Sequence, residues 1–179
     1  RNHLMEGIKN ALPDDFIILS DSDEIPDFTK IKNINLIKRF AAFSQKMFMY
    51  KLNLQNISES NWIGSKITRK KFITSMQDLR NLKFKKYPLW RIDKYNQQII
   101  NGGWHFSFLQ TPQQILTKIK SFSHGEFNSK NINEKKIEEK IIQNKDIFGR
   151  NTELKKISIN NDYPEYIIQN KDKLSNWII

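Results

Sequence analysis

The spacing of apolar residues changes several times along the chain, and each change predicts an element. Leu4, Met5, Ile8 and Leu12 recur at helical spacing, so residues 3–12 read as an amphipathic helix ended by Pro13-Asp14-Asp15. Phe16-Ile17-Ile18-Leu19 is a short unbroken apolar run, the pattern of a strand buried on both faces. Ser20 to Ile25 follows, and Pro26 stops any further ladder. Residues 27–40 read as mainly helical, with Phe28, Ile31, Ile37 and Phe40 inward. Residues 46–54 alternate as a strand, with Met47 and Met49 on one face and Phe48, Tyr50 and Leu52 on the other. Residues 62–73, 87–92 and 98–109 are further strand candidates, the last broken at Gly102-Gly103. Thr111-Pro112-Gln113-Gln114 carries the marks of a helix start: Thr at the cap, Pro at the first helical position, Gln three residues after the cap. Ile115, Leu116 and Ile119 supply its apolar face. A second helix over residues 133–143 turns Ile137, Ile141 and Ile142 inward, and a short helix near Pro164 to Ile168 precedes a packed end at Trp177-Ile178-Ile179. Helices and strands thus alternate without a repeat or a linker, which defines an α/β class and a single domain over residues 1–179.

Composition narrows this picture. With 38% hydrophobic residues in 179, the chain can build a core. The absence of Cys excludes a disulfide framework, a thiolate zinc site and a Cys nucleophile. No apolar run approaches the ~20 residues of a membrane span. The formal charge is +11, but it is spread along the chain and carried by 24 Lys against 6 Arg. Solvated surface Lys explains most of it. Arg69-Lys70-Lys71 and Lys83-Lys85-Lys86 are the densest basic groups, and a phosphate-binding role for one of them stays open.

The acidic residues are less evenly placed. No Lys or Arg lies between Lys9 and Lys30, a window that holds Asp14, Asp15, Asp21, Asp23, Glu24 and Asp27. Like charges this close repel unless water or a cation intervenes. In open α/β sheets ligands bind beyond the carboxyl ends of strands, where Asp21-Ser22-Asp23 is expected. Two aspartates in an extended turn can reach one divalent ion, and an oxygen-only set suits Mg²⁺ or Mn²⁺. Alone, such a pair is more often a solvated turn; its place after an apolar strand and the local excess of acids favour a metal.

Three ordered blocks add to the acidic turn. Asp14-Asp15-Phe-Ile-Ile-Leu-Ser-Asp-Ser-Asp-Glu-Ile-Pro26, Asn101-Gly102-Gly103-Trp104-His105-Phe106-Ser107-Phe108 and Lys118-Ile-Lys120-Ser-Phe122-Ser-His124-Gly-Glu126 resemble glycosyltransferase family 17, which includes beta-1,4-mannosyl-glycoprotein 4-beta-N-acetylglucosaminyltransferase. Arg1-Asn2 and Trp62-x-Gly64-Ser65 are similar as well, and the resemblance spans roughly residues 1–127. It implies a GT-A-like (Rossmann-type) mixed sheet flanked by helices. In the family further strands precede the first helix, so the chain reads as the central and C-terminal part of such a domain. It also implies a nucleotide-sugar donor, UDP-N-acetylglucosamine in the characterised members, a glycan acceptor and an inverting transfer.

The resemblance implies roles for single residues: Glu126, Glu24 and His105 as catalytic candidates, Gly102, Gly103, Trp104 and Lys118 at the donor or acceptor, and Asp21, Asp23 and His124 at the metal. Asp21 and Asp23 would hold the metal on the donor diphosphate, with His124 a further ligand or else a helix C-cap. Glu126 is the candidate base for the acceptor hydroxyl. Glu24 either orients the site or caps the turn. Gly102 and Gly103 permit close backbone approach. Trp104 either stacks on a sugar or sits in the core, and His105 points to the opposite face from it. Lys118 could compensate phosphate charge, as could Lys120 or Arg91. Competing readings are a metal-dependent phosphotransferase or nuclease, an inactive glycosyltransferase-like domain, and a basic nucleic-acid module centred on Lys83 to Arg91 with Phe84, Tyr87 and Trp90. The transferase reading expects no nucleic-acid partner. Location follows the source: cytoplasmic in a bacterium or virus, Golgi membrane in a eukaryote with an anchor ahead of this segment.

Overall fold

A computed structural model describes residues 2–32, 34–59, 61–84, 97–121 and 132–179. The chain divides into two compact units, residues 1–45 with 61–105, and residues 46–60 with 106–179.

The first unit opens with a 3-10 helix, Asn2–Ile8, in place of the α-helix that Leu4 and Leu12 predict; both side chains are exposed. Strand β1 (Phe16–Leu19) pairs antiparallel with β5 (Trp62–Arg69), and β5 pairs antiparallel with β3 (Phe40–Met49). β6 (Gln97–Ile99) runs parallel to β3, so the sheet is mixed. Strand β2 (Glu24–Pro26) pairs with β7 (Gly103–Ser107). Helix α1 (Met76–Asn81) starts at a Ser75 cap whose side chain accepts from the Asp78 amide. Ala41, Phe43, Ile67 and Ile99 form the core of this unit, with Ile18, Ile31, Ile34 and Leu36 packed against it.

The second unit holds the end of β3, where Phe48 pairs opposite Gln55 of β4 (Leu54–Asn56), and β4 pairs in turn with β8 (Leu154–Lys156). Its core is aromatic: Phe48 lies 5.2 Å from Phe106 and 5.4 Å from Tyr163, ring centre to ring centre. Helix α2 (Pro112–Ser121) begins with the reciprocal pair the sequence predicts, Gln114 N–H to Thr111 Oγ1 and Thr111 N–H to Gln114 Oε1. Helix α3 (Glu134–Ile142) is capped by Asn133, and α4 (Glu165–Gln169) follows Pro164.

Several expectations are corrected. β1 is not buried on both faces: Phe16 is 38% exposed and the guanidinium of Arg69 lies 4.8 Å from its ring centre. The guanidinium covers the Phe16 ring alone, while Ile18, two residues on, packs against the core. Residues 27–40 contain a 3-10 turn at Phe28–Lys30 and no longer helix among the described residues. Phe28 and Ile37 are exposed rather than inward. The Asp27 side chain accepts from the Thr29 amide and hydroxyl, a local turn that competes with helix propagation. The strand predicted over residues 46–54 begins earlier, at Phe40, and ends at Met49 because Tyr50 adopts φ 65°. Strand β5 closes at Arg69 in a 3-10 turn, Lys70–Phe72. Ile142 is exposed while Ile137 and Ile141 are buried. The strand expected over residues 87–92 lies outside the described residues. Pro26 ends β2 as predicted.

Candidate active site

The acidic turn and the side chains that hold it lie in the first unit. Asp21, Ser22 and Asp23 form a tight turn directly after β1, closed by the Glu24 amide donating to the Asp21 carbonyl at 3.0 Å. The turn therefore sits at the carboxyl end of the strand, where the sequence places it.

Glu24 anchors this turn. Its carboxylate accepts from the Trp62 indole N–H at 2.9 Å, the Ser65 hydroxyl at 3.2 Å and the Asp21 amide at 3.2 Å. Ser65 and Ser20 share a 2.6 Å hydroxyl contact, and Ser20 donates to the Glu24 carbonyl. The buried Gln45 amide donates to Ser65 Oγ at 3.3 Å. Gly64 is required by this crowding: a Cβ there would strike the Gln45 side-chain amide and lie 2.9 Å from Glu24 Cδ. Trp62, Gly64 and Ser65 thus form a cradle for one carboxylate, which gives the Trp62-x-Gly64-Ser65 block a physical reason.

The two aspartates face different partners. Asp21 takes the Arg80 guanidinium at 2.8 Å and 3.4 Å, and this hydrogen bond raises the Arg80 pKa further. Asp23 Oδ2 lies 3.4 Å from His105 Nε2. His105 is buried, its Nδ1 has no hydrogen-bond partner among the described residues, and its ring lies 4.7 Å from that of Trp62. Trp62 therefore links the groups that hold Glu24 and Asp23. The pairing of Glu24 with His105 and of Ile25 with Trp104 across β2 and β7 gives the two ring residues opposite faces. The histidine faces the acidic turn, and Trp104 is half-buried.

A cleft of about 180 Å³ opens beside the turn, lined by Asp21, Glu24, Trp62, Gly64, Lys66 and Arg80 among others. Burial pulls the Lys66 pKa below its ordinary value, and the nearby carboxylates of Glu24 and Asp21 only partly oppose this.

As a metal centre, the turn supplies carboxylate oxygens, which fit Mg²⁺ or Mn²⁺. Each carboxylate already has a protein partner, and among the described residues no three His, Asp or Glu side chains converge on one point. Asp21 is turned to Arg80 and Asp23 to His105. His124 and Glu126 lie outside the described residues. Gly102 and Gly103 bring β7 against β2: Gly103 has φ 139°, and a Cβ there would strike the Ile25 carbonyl, while one at Gly102 would lie 2.6 Å from the Ile99 carbonyl. Lys118 belongs to the second unit, with Nζ 4.8 Å from the Phe108 ring centre.

Sequence reasoning missed Arg80, Lys66 and Gln45. Arg80 stands 59 residues from Asp21, and nothing local distinguishes it. The basic cluster Arg69-Lys70-Lys71 proves to be structural. Arg69 and Lys71 bind Asp14, and Lys70 donates to the Lys9 and Ala11 carbonyls. Of the aromatic candidates for a nucleic-acid face, Phe84 is buried, and Tyr87 and Trp90 lie outside the described residues.

A mixed α/β unit with an acidic turn at a strand's carboxyl end is compatible with a glycosyltransferase. The family model of glycosyltransferase family 17 matches residues 1–158, and the chain belongs to that family. Neither a curated protein nor a solved structure matches it. Membership implies a nucleotide-sugar donor and a glycan acceptor. Among the described residues no helix is long and apolar enough to cross a membrane.

Proposed function

We propose that this protein is an inverting, metal-dependent glycosyltransferase that moves N-acetylglucosamine from UDP-N-acetylglucosamine to a glycan hydroxyl, on a GT-A-like fold. The observation that carries the reading is the Asp21-Ser22-Asp23 turn at the end of β1, held by Glu24, in a chain of this family. Asp21 and Asp23, with His124, are the proposed donors to Mn²⁺ or Mg²⁺. A cation bound there would neutralise diphosphate charge and improve the leaving group.

The chain's own residues supply the rest. Glu126 takes the proton from the acceptor hydroxyl as its oxygen forms the new bond to the anomeric carbon. The bond from that carbon to the phosphate oxygen breaks on the opposite face, and UDP leaves with the electron pair. Glu24, bound by three donors, orients the turn rather than accepting this proton. His105 fixes the Asp23 carboxylate. Gly102, Gly103 and Trp104 border the sugar, and Lys118 is a candidate phosphate contact.

The reading is tested by incubating the protein with UDP-N-acetylglucosamine, Mn²⁺ and a glycan panel, with product detection by mass. Addition of one N-acetylhexosamine with release of UDP supports it. Unchanged glycans and intact donor, with either ion, count against it.

A further inference from the structure

The cleft beside the acidic turn contains four charged side chains, and three of them are already engaged. Glu24 is spent on Trp62, Ser65 and the Asp21 amide. Asp21 and Arg80 are paired with each other. Lys66 is the exception. It projects from the middle of β5, half-buried, and among the described residues its ammonium bonds only the Gly64 carbonyl, at 3.3 Å. The carboxylates of Glu24 and Asp21 act on it through charge without bonding it, so its ammonium keeps donors to offer an anion from solution. The cleft offers about 180 Å³, roughly six times the liquid volume of one water, which is room for a small polar anion.

We infer that Lys66 and Arg80 are the anion-binding side of this cleft and that the anion is the diphosphate of the donor. Lys66 is the fixed contact. Arg80, on the exposed side of the cleft, is the exchangeable one: were Asp21 to take up a cation, the guanidinium would be free to pair with the diphosphate. Arg80 thereby has two alternative carboxylate or phosphate partners, each matched to its planar fork. The inference rests on the transferase reading for the identity of the anion, and on the geometry alone for its place.

The test is calorimetric titration with inorganic pyrophosphate in excess Mg²⁺, which requires no turnover. Wild type is compared with Lys66→Gln, Lys66→Arg, Arg80→Gln and, as a control for net charge, the exposed Lys135→Gln. Each loss of a charge-assisted contact should weaken binding about tenfold. Lys66→Arg should retain binding, which shows that Lys66→Gln fails for want of charge and not of fold. Lys135→Gln should match wild type. Equal affinity in wild type and Lys66→Gln, or no binding in wild type, overturns the inference. UDP and geranyl diphosphate are then offered as competitors. Displacement by UDP is expected, and displacement by geranyl diphosphate alone overturns the assignment to a nucleotide donor. Glycan transfer that proceeds in Lys66→Gln with unchanged KM would sink the inference and leave the transferase reading standing. Lys66-dependent pyrophosphate binding without any transfer would do the reverse.

Discussion

Trp62 donates its indole N–H to Glu24 Oε1 at 2.9 Å, across 38 residues of sequence. The same indole lies 4.7 Å from the His105 ring, whose Nε2 reaches Asp23. One side chain therefore steadies both ends of the acidic turn. Trp62→Phe keeps the ring and removes the donor. It should cost about 1 kcal/mol of stability and lower kcat/KM for sugar transfer about tenfold, with thermal melting and steady-state kinetics as the measurements. Full activity in Trp62→Phe would show that Glu24 holds the turn unaided.

Under the proposed function, Arg80 would compete with a cation for Asp21. Arg80→Ala should raise the affinity for Mn²⁺ alone several-fold, because the Asp21 carboxylate loses a partner at 2.8 Å. Electron paramagnetic resonance of free Mn²⁺ measures this directly. A fall in affinity would mean that the guanidinium supports the ion site instead of blocking it.

Gly103 is fixed by its backbone. At φ 139°, with the Ile25 carbonyl where a Cβ would stand, Gly103→Ala should destabilise the protein by more than about 2 kcal/mol. The corresponding drop in melting temperature is the check.

Asp14 gives a pH dependence with a definite sign. The hydrogen bond from Lys71, then its charge, lowers the Asp14 pKa below 3.8. A depressed carboxylate pKa contributes stability above the unfolded value, and that contribution is lost as pH falls through the folded one. Asp14→Asn should therefore melt slightly below wild type at neutral pH, and the gap should close only once the pH drops beneath 3.8. An equal gap at both extremes would show that Lys71 does not act through charge.

The site was legible in sequence where its chemistry is local. Asp21, Asp23 and Glu24 stand out because six acids share a window free of Lys and Arg, and the Thr111 cap announces its helix within four residues. What supports the turn was not legible. Trp62, Ser65 and Arg80 approach it through strand pairing and α1, 38 to 59 residues away, and strand register is set by packing that no short window contains. The Trp62-x-Gly64-Ser65 block was visible as a pattern but acquires its reason only from the Glu24 carboxylate above it. The misread helix over residues 27–40 has a related cause: Phe28 and Ile37 follow a helical period, but the Asp27 turn and strand β3 use that segment otherwise.

The proposed function requires the acidic turn to bind a nucleotide sugar through a divalent cation. Calorimetry with UDP-N-acetylglucosamine, with and without Mn²⁺, on wild type and Asp23→Asn, tests it most directly. Wild type should bind only when Mn²⁺ is present, and Asp23→Asn should not bind. Equal binding by both proteins, or binding indifferent to Mn²⁺, would contradict it.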